Sequence, residues 1–251
     1  MPNFPKFWIV AFAGASLSIG ITSHFHYGNV KENGILTFLG IFLVYNHYLL
    51  TENKRPILIR IAMLVLLLIT LGLAIHIAST FISFFTLGLS GIIGVLYSLK
   101  IKSSSVAIRD IPFLKIVLVV GVWTFVCCIF PWFNSPIKRN FSPAILLHVF
   151  YLFAIALAFD IRDIKIDSSK RKTIPQVIGI KPAKAVVIIS LLFFFIGSTV
   201  IPLIPSHKDL FILAIGTPII TLFIQKDIRP KVYGILLEMS LLMLGISYFS
   251  L

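Results

Sequence analysis

The stretch PAILLHVFYLFAIALAFD, residues 143–160, decides the fold class of this chain. It runs for 18 residues and carries one charge, the aspartate at its end, so a helix of this length crosses the hydrocarbon core of a bilayer. Similar apolar runs recur along all 251 residues, of which 58% are hydrophobic and 12% charged. A water-soluble domain of this length needs more polar surface. The sequence therefore predicts an all-α, polytopic membrane protein that forms a single domain over residues 1–251.

Nine membrane spans are predicted when the apolar runs are divided at prolines, glycines and charged clusters. The long apolar run 57–99 exceeds one span at about 1.5 Å per residue, so we expect it to turn near residues 76–79. No small-residue cleavage site follows the first apolar run, and we expect that run to be a retained helix. The predicted spans cover residues 7–23, 34–51, 57–77, 80–99, 113–131, 143–160, 184–204, 209–225 and 231–250.

The basic residues predict which way the chain crosses the membrane. Of the 22 Lys and Arg residues, 18 lie at the amino terminus or flank the loops after spans two, four, six and eight. Positive residues favour the cytoplasmic side, so the amino terminus is predicted to be cytoplasmic. This distribution accounts for the net charge of +13 without a nucleic-acid partner. We expect an integral protein of the bacterial cytoplasmic (inner) membrane, with its active end facing the cytoplasm.

A cluster of charges, FDIRDIKIDSSKRKTIP at residues 159–175, follows the opening stretch. Its three aspartates are spaced i, i+3, i+7 and share one face of a helix. Clustered carboxylates near a bilayer repel one another unless a cation lies between them, and oxygen ligands suit Mg²⁺. Together with the basic residues that follow, they favour a diphosphate site over an ordinary charged loop. The residues of this cluster are Asp160, Asp163, Asp167, Lys170, Arg171 and Lys172.

The same residues resemble a known family. The runs DIRDIKID at 160–167 and KRKTIP at 170–175, followed by Gly179, are similar to the second aspartate motif of the UbiA superfamily of intramembrane prenyltransferases. The order of YSLK at 97–100, RDIPFLK at 109–115 and Trp123 is similar to the family's segment between helices four and five. The resemblance implies a nine-helix bundle in which the aspartates hold Mg²⁺ on a prenyl diphosphate. It also implies an apolar tunnel for the prenyl chain and a lipid-soluble acceptor that attacks the prenyl carbon.

The first aspartate motif of that family departs from its pattern in this chain. At the end of span two the sequence reads VYNHYLLTENKRP, residues 44–56, in which Asn46 is retained. His47 and Leu50 stand where the family's aspartates belong, and Lys54 corresponds to Asp167 of the second motif. The predicted catalytic residues are therefore Asn46 and the three aspartates of span six.

Three consequences of the lost carboxylates stay open. Lys54 and Arg55 replace the second metal as cations for the diphosphate, which is the hypothesis we prefer because it restores the charge balance. Alternatively, Glu52 and Asn46 form a weaker metal site, or the protein no longer ionises a diphosphate.

Four further polar residues are candidates for the site. Glu238 lies within the last predicted span, where an ionisable group is a functional candidate by default. It either orients the acceptor hydroxyl or its proton, or it makes a helix–helix hydrogen bond. Tyr97, Lys100 and Lys102 lie at the cytoplasmic end, where they either contact phosphate or anchor the helix at the interface.

The sequence thus predicts a UbiA-like intramembrane prenyltransferase that uses Mg²⁺, a prenyl diphosphate and a lipid-soluble acceptor. The alternative is a catalytically inactive relative that binds isoprenoids or partner subunits. A small-solute transporter is a third class, and it fits less well because only Glu238 lies near the middle of a span.

Overall fold

The structure, a computed structural model, describes residues 7–46, 56–98, 111, 113–135, 142–164, 172–201, 205, 207–224 and 229–249. All regular secondary structure in these residues is helical. The helices are α1 (Trp8–His24), α2 (Val30–Asn46), α3 (Ile57–Ile77), α4 (Phe81–Ser98), α5 (Leu114–Phe133), α6 (Ser142–Asp163), α7 (Ile174–Ile178), α8 (Ile180–Val200), α9 (Lys208–Phe223) and α10 (Pro230–Ser247).

Five of the described helices are long and apolar enough to cross a membrane, judged by length and composition. They are α3, α5, α6 from Pro143 onward, α8 and α10. Two shorter apolar helices are α1 and the segment Phe81–Gly94 of α4. The prediction of an all-helical fold is confirmed for the described residues, and these five helices support the prediction of a membrane-embedded protein.

The long apolar run 57–99 turns where the sequence predicted. Helix α3 ends at Ile77 and α4 begins at Phe81. The backbone N–H of Ser79 in this turn donates to the side-chain oxygen of Asn134, just after α5, over 2.8 Å. The turn is therefore attached to the end of another helix.

The described helices pack in an order that closes on itself. Helix α1 packs on α2, α2 on α4, α4 on α5, α5 on α6, α6 on α8, α8 on α9, α9 on α10, and α10 returns to α1. Helix α6 also contacts α10, and its central residues Tyr151, Ala154, Leu157 and Ala158 are all fully buried. Helix α3 packs mainly on α2 and leaves most of its surface exposed to the surroundings. Helix α6 therefore lies at the centre of these helix–helix contacts.

Helices α1 and α10 cross closely because small residues lie at their contact. A side chain added at Gly20 would overlap the carbonyl oxygen of Gly245, and one added at Gly245 would overlap the backbone at Ser16. The Ser16 hydroxyl donates to the Leu242 carbonyl over 3.1 Å. Lipid gives helices little hydrophobic reason to associate, so such close packing and interhelical hydrogen bonds stabilise the pair.

Gly20→Ala is expected to destabilise the fold by about 2–3 kcal/mol. The new methyl group overlaps the backbone of α10, which cannot move aside by a change of rotamer as a side chain can. Gly40→Ala is the matched control, because open space surrounds Gly40 on α2. Helix propensity predicts that this control is neutral or stabilising by up to about 1 kcal/mol. Denaturant unfolding of the purified variants in detergent measures both, and equal stabilities of the two variants would contradict the role of close packing at Gly20.

Candidate functional site

A cavity of about 230 Å³ lies where α2, α4 and α6 end and where α1 and α5 begin. Most of its walls are apolar, and its polar side chains come from five different helices. The polar side chains that line it are Tyr45, Tyr97, Lys115, Asp160, Arg162, Asp163 and Glu238. The apolar ones include Phe7, Val10, Ile116, Val119, Val120, Trp123, Leu152, Ile155, Phe159 and Leu241. The cavity therefore has a charged end and an apolar interior.

Helix α6 lines the cavity with one face. The lining positions 152, 155, 156, 159, 160 and 163 follow the spacing of a single helical face. The face is apolar from Leu152 to Phe159 and acidic at Asp160 and Asp163, over a rise of about 16 Å. The predicted placement of these two aspartates on one face is confirmed, since α6 continues to Asp163.

Asp160 forms an ion pair with Lys115. The ammonium nitrogen lies 2.6 Å from Oδ1, and the two side chains are 17% and 5% exposed for Lys115 and Asp160 respectively. The pair forms because α5 begins beside the end of α6, so the second residue of one helix meets the last turn of the other. A carboxylate this deeply buried requires such a partner. Lys115 is therefore part of the site.

Asp163 forms a bidentate ion pair with its neighbour Arg162. The guanidinium donates from Nε to Oδ1 over 2.7 Å and from its second nitrogen, Nη2, to Oδ2 over 2.8 Å. It also lies 4.8 Å from the centre of the Phe159 ring, a cation–π arrangement. On its other side, Nη1 of Arg162 lies against Gly234 of α10, in space that a methyl group there would fill. Both oxygens of Asp163 thus contact one cationic side chain.

Glu238 reaches the same cavity from α10. It is partly buried, and its charge interacts with that of Arg162. Gly234 and Glu238 are one turn apart and so lie on the same face of α10, about 6 Å from each other along the axis. The structure therefore brings the acceptor-side candidate of the sequence into contact with the cavity that the aspartates line.

A second cavity, of about 270 Å³, adjoins the first. The two share Phe7, Tyr45, Tyr97, Val119 and Trp123 as wall residues. The rest of the second cavity is apolar and lies between α2, α4 and α5, with Val44, Ile93, Gly94, Leu118 and Val122 as its walls. Together they extend the apolar space away from the charged end.

The other predicted site residues are placed unequally. Tyr97 lines both cavities. Asn46 is fully buried at the end of α2 and donates from its amide to the Phe42 carbonyl over 2.9 Å, and it is not among the residues lining either cavity. Lys172 is exposed ahead of α7 and lines neither cavity. The remaining predicted residues lie outside the described part of the chain: Lys54, Arg55, Lys100, Lys102, Asp167, Lys170 and Arg171.

Lys115 and Arg162 are site residues that the sequence patterns did not single out. A signal existed for Lys115, because it lies inside the predicted span 113–131, where a charged residue is a functional candidate by default. Arg162 lies between Asp160 and Asp163 in the sequence, and no feature of its own indicated a role in the site. Tyr45 gave no signal, since a tyrosine near a membrane helix end is ordinary.

The donor chemistry of the cavity suits a hard divalent cation. Asp160 and Asp163 supply carboxylate oxygens one turn apart at the rim of the same cavity, which is what Mg²⁺ uses beside a phosphate. Within the described ranges, no three His, Cys, Asp or Glu side chains are grouped to hold a metal, and the third aspartate of the motif, Asp167, lies outside those ranges. Arg162 is the direct competitor for such an ion, because it already contacts both oxygens of Asp163.

Comparisons of the chain with protein-family models, with curated proteins and with solved structures found no match. Its function is therefore inferred from the residues of the site and from their geometry.

Proposed function

We propose that this protein is an intramembrane prenyltransferase that resembles the UbiA superfamily. It transfers a prenyl group from a prenyl diphosphate to a membrane-soluble acceptor, at the end of the bundle where Asp160 and Asp163 lie. The proposal includes Mg²⁺ bound by the aspartates of the second motif, with Asp167 as the third ligand.

The observation that carries the proposal is the division of one cavity into a charged end and an apolar interior. Lys115, Arg162 and the two aspartates meet at one end, while the face of α6 below them is apolar. An amphipathic ligand with a phosphate headgroup and a hydrocarbon chain matches this division. The adjoining apolar cavity adds space for the chain or for a lipid-soluble acceptor.

In the proposed reaction the carbon–oxygen bond of the allylic diphosphate breaks, and both electrons leave with the diphosphate oxygen. Lys115 stabilises the negative charge of that leaving group from the protein side. Mg²⁺, when bound, supplies further neutralisation of the diphosphate. The apolar walls keep water from the electron-poor prenyl carbon, so that the acceptor attacks it instead. The acceptor's proton leaves as the new bond forms, and in this proposal Glu238, which lines the cavity, receives it.

The proposed topology has nine spans with a cytoplasmic amino terminus. The order of the described helices supports it, since each predicted span overlaps one helix of 16 residues or more, although only five of these are long and apolar enough to cross a membrane. The ends of α2, α4 and α6 also meet at one cavity, as alternating spans require. The active end would then face the cytoplasm, where soluble prenyl diphosphates enter.

The decisive experiment uses purified protein in lipid nanodiscs with labelled allylic diphosphates of several chain lengths, with and without Mg²⁺. The expected result is Mg²⁺-dependent release of diphosphate in the presence of a membrane lipid extract that contains the acceptor. Absence of release with every chain length would overturn the enzymatic proposal.

A second candidate function is a non-catalytic isoprenoid-binding protein. The observation that favours it is that both described aspartates of the second motif are already neutralised, by Lys115 and Arg162. This candidate predicts saturable binding of a prenyl diphosphate in the same nanodiscs with no release of diphosphate.

A further inference from the structure

Arg162 lies between two carboxylates that belong to different helices. In this structure it pairs with Asp163 on α6, through Nε and Nη2. Its remaining nitrogen, Nη1, points toward α10 at Gly234. One turn further along that face of α10 lies Glu238, which lines the same cavity as Arg162.

We propose that Arg162 is a mobile counter-ion that occupies Asp163 when no ligand is bound and moves to Glu238 when Asp163 takes up a divalent cation. The proposal rests on the proposed function, and it assigns to Arg162 a positioning role in metal and substrate uptake. The missing side chain at Gly234 is what allows the guanidinium to lie in the space between the two helices.

Charge and geometry both favour an Arg162 side chain that alternates between two carboxylates. A guanidinium that holds both oxygens of Asp163 competes with a divalent cation for the same carboxylate, so binding of the ion weakens or breaks the bidentate pair. The displaced guanidinium needs another carboxylate, because an arginine that is 24% exposed is only partly hydrated. Glu238 is the acidic side chain on the neighbouring wall of the cavity, within the part of the chain that the structure describes. Moving there keeps Arg162 beside a carboxylate while Asp163 becomes available to the incoming ion.

The movement also changes the site for the acceptor. While Arg162 pairs with Asp163, its bidentate hydrogen bonds go to that carboxylate, and Glu238 lies on another wall of the same cavity. After the movement Glu238 forms a direct ion pair and is oriented toward the charged end of the cavity. Metal uptake at α6 is thereby coupled to the position of a carboxylate on α10.

The test measures Mn²⁺ affinity by electron paramagnetic resonance of free Mn²⁺, with purified protein from which metals have been removed by a chelator. Mn²⁺ accepts the same carboxylate ligands as Mg²⁺. In Gly234→Ala the new methyl group pushes Arg162 away from its place beside Asp163 without removing any charge. Loss of a partly exposed ion pair predicts that Mn²⁺ binds about two- to fivefold more tightly. Gly216→Ala on α9 is the matched control, since open space surrounds Gly216, and its Mn²⁺ affinity should equal that of the wild type.

Arg162→Gln is the second variant, and it removes the competing cation altogether. Coulomb repulsion across a few ångströms at a protein surface predicts about tenfold tighter Mn²⁺ binding. Arg162→Lys retains the charge but loses the bidentate fork, so its affinity should lie between those of the wild type and Arg162→Gln. A purely structural arginine predicts instead that every one of these variants binds Mn²⁺ equally well or more weakly.

Unchanged or weaker Mn²⁺ binding in both Gly234→Ala and Arg162→Gln overturns the inference, as does absence of Mn²⁺ binding in every variant. The two proposals fail separately. Tighter Mn²⁺ binding without release of diphosphate supports the counter-ion role and contradicts the prenyltransferase. Mg²⁺-dependent release with Mn²⁺ affinities that do not respond to Arg162 supports the prenyltransferase and contradicts the counter-ion role.

Discussion

Replacing Asp163 by asparagine is expected to slow the proposed diphosphate release about 100-fold, because loss of one carboxylate of the proposed Mg²⁺ site removes on the order of 3 kcal/mol of leaving-group stabilisation. The change keeps the shape of the side chain, so α6 should retain its packing. Asparagine also releases Arg162 from its bidentate pair. The freed guanidinium stays within the cavity, beside Glu238, so the loss of the Asp163 charge leaves the cavity more positive and more attractive to a diphosphate. KM for the prenyl diphosphate should therefore not rise while kcat falls.

The split between kcat and KM is what makes this variant informative. A variant that had merely misfolded would lose substrate binding as well. Asp209→Asn is the matched control, since Asp209 is exposed in the first turn of α9, away from the cavity, and its replacement should leave both parameters within about twofold. Release of diphosphate by Asp163→Asn at the wild-type rate would contradict the proposed role of this carboxylate.

Breaking the Lys115–Asp160 pair is expected to produce the largest loss of stability. Lys115→Met removes the cation 2.6 Å from a carboxylate that is 5% exposed, and such changes cost about 3–5 kcal/mol. Most of that cost is the penalty for a buried carboxylate that has lost its cationic neighbour on α5. The double variant Lys115→Met/Asp160→Leu, which replaces both charges by apolar groups, should therefore be more stable than Lys115→Met alone.

A double-mutant cycle over these two positions measures the interaction directly. Unfolding in detergent micelles should give a coupling free energy of about 2–3 kcal/mol between Lys115 and Asp160. Lys208→Met, at an exposed lysine in the first turn of α9, controls for loss of a positive charge at a helix start. Independent sites give a coupling free energy below about 0.5 kcal/mol. A value that small would show that Lys115 is not the partner that Asp160 requires.

Much of the fold follows from local properties of the chain. The apolar stretch 143–160 became the central part of α6, and the run 57–99 divided into α3 and α4 at the predicted turn. Both outcomes depend on helix length against bilayer thickness, which sequence spacing specifies directly. The close crossing of α1 and α10 was not predicted. Gly20 and Gly245 are far apart in the chain, and nothing in their neighbours indicates that they meet.

The candidate site, like the fold, was predictable from the sequence only in part. The spacing of Asp160 and Asp163 determined that both carboxylates share one face of one helix, and the cavity lies against that face. Their partners could not be predicted from spacing. Lys115 belongs to another helix, and the pair exists because α5 begins where α6 ends.

Composition and the 3.6-residue period of a helix specify a helical chain with helices long enough to cross a membrane, and they specify the helix face that carries Asp160 and Asp163. Packing of the helices specifies which cations stand beside those acids, that Asn46 is buried within the bundle, and that Glu238 shares their cavity. An ion pair between helices depends on how the helices pack against one another. Helix packing is a property of all the contacting surfaces together and cannot be read from the spacing of residues along one segment.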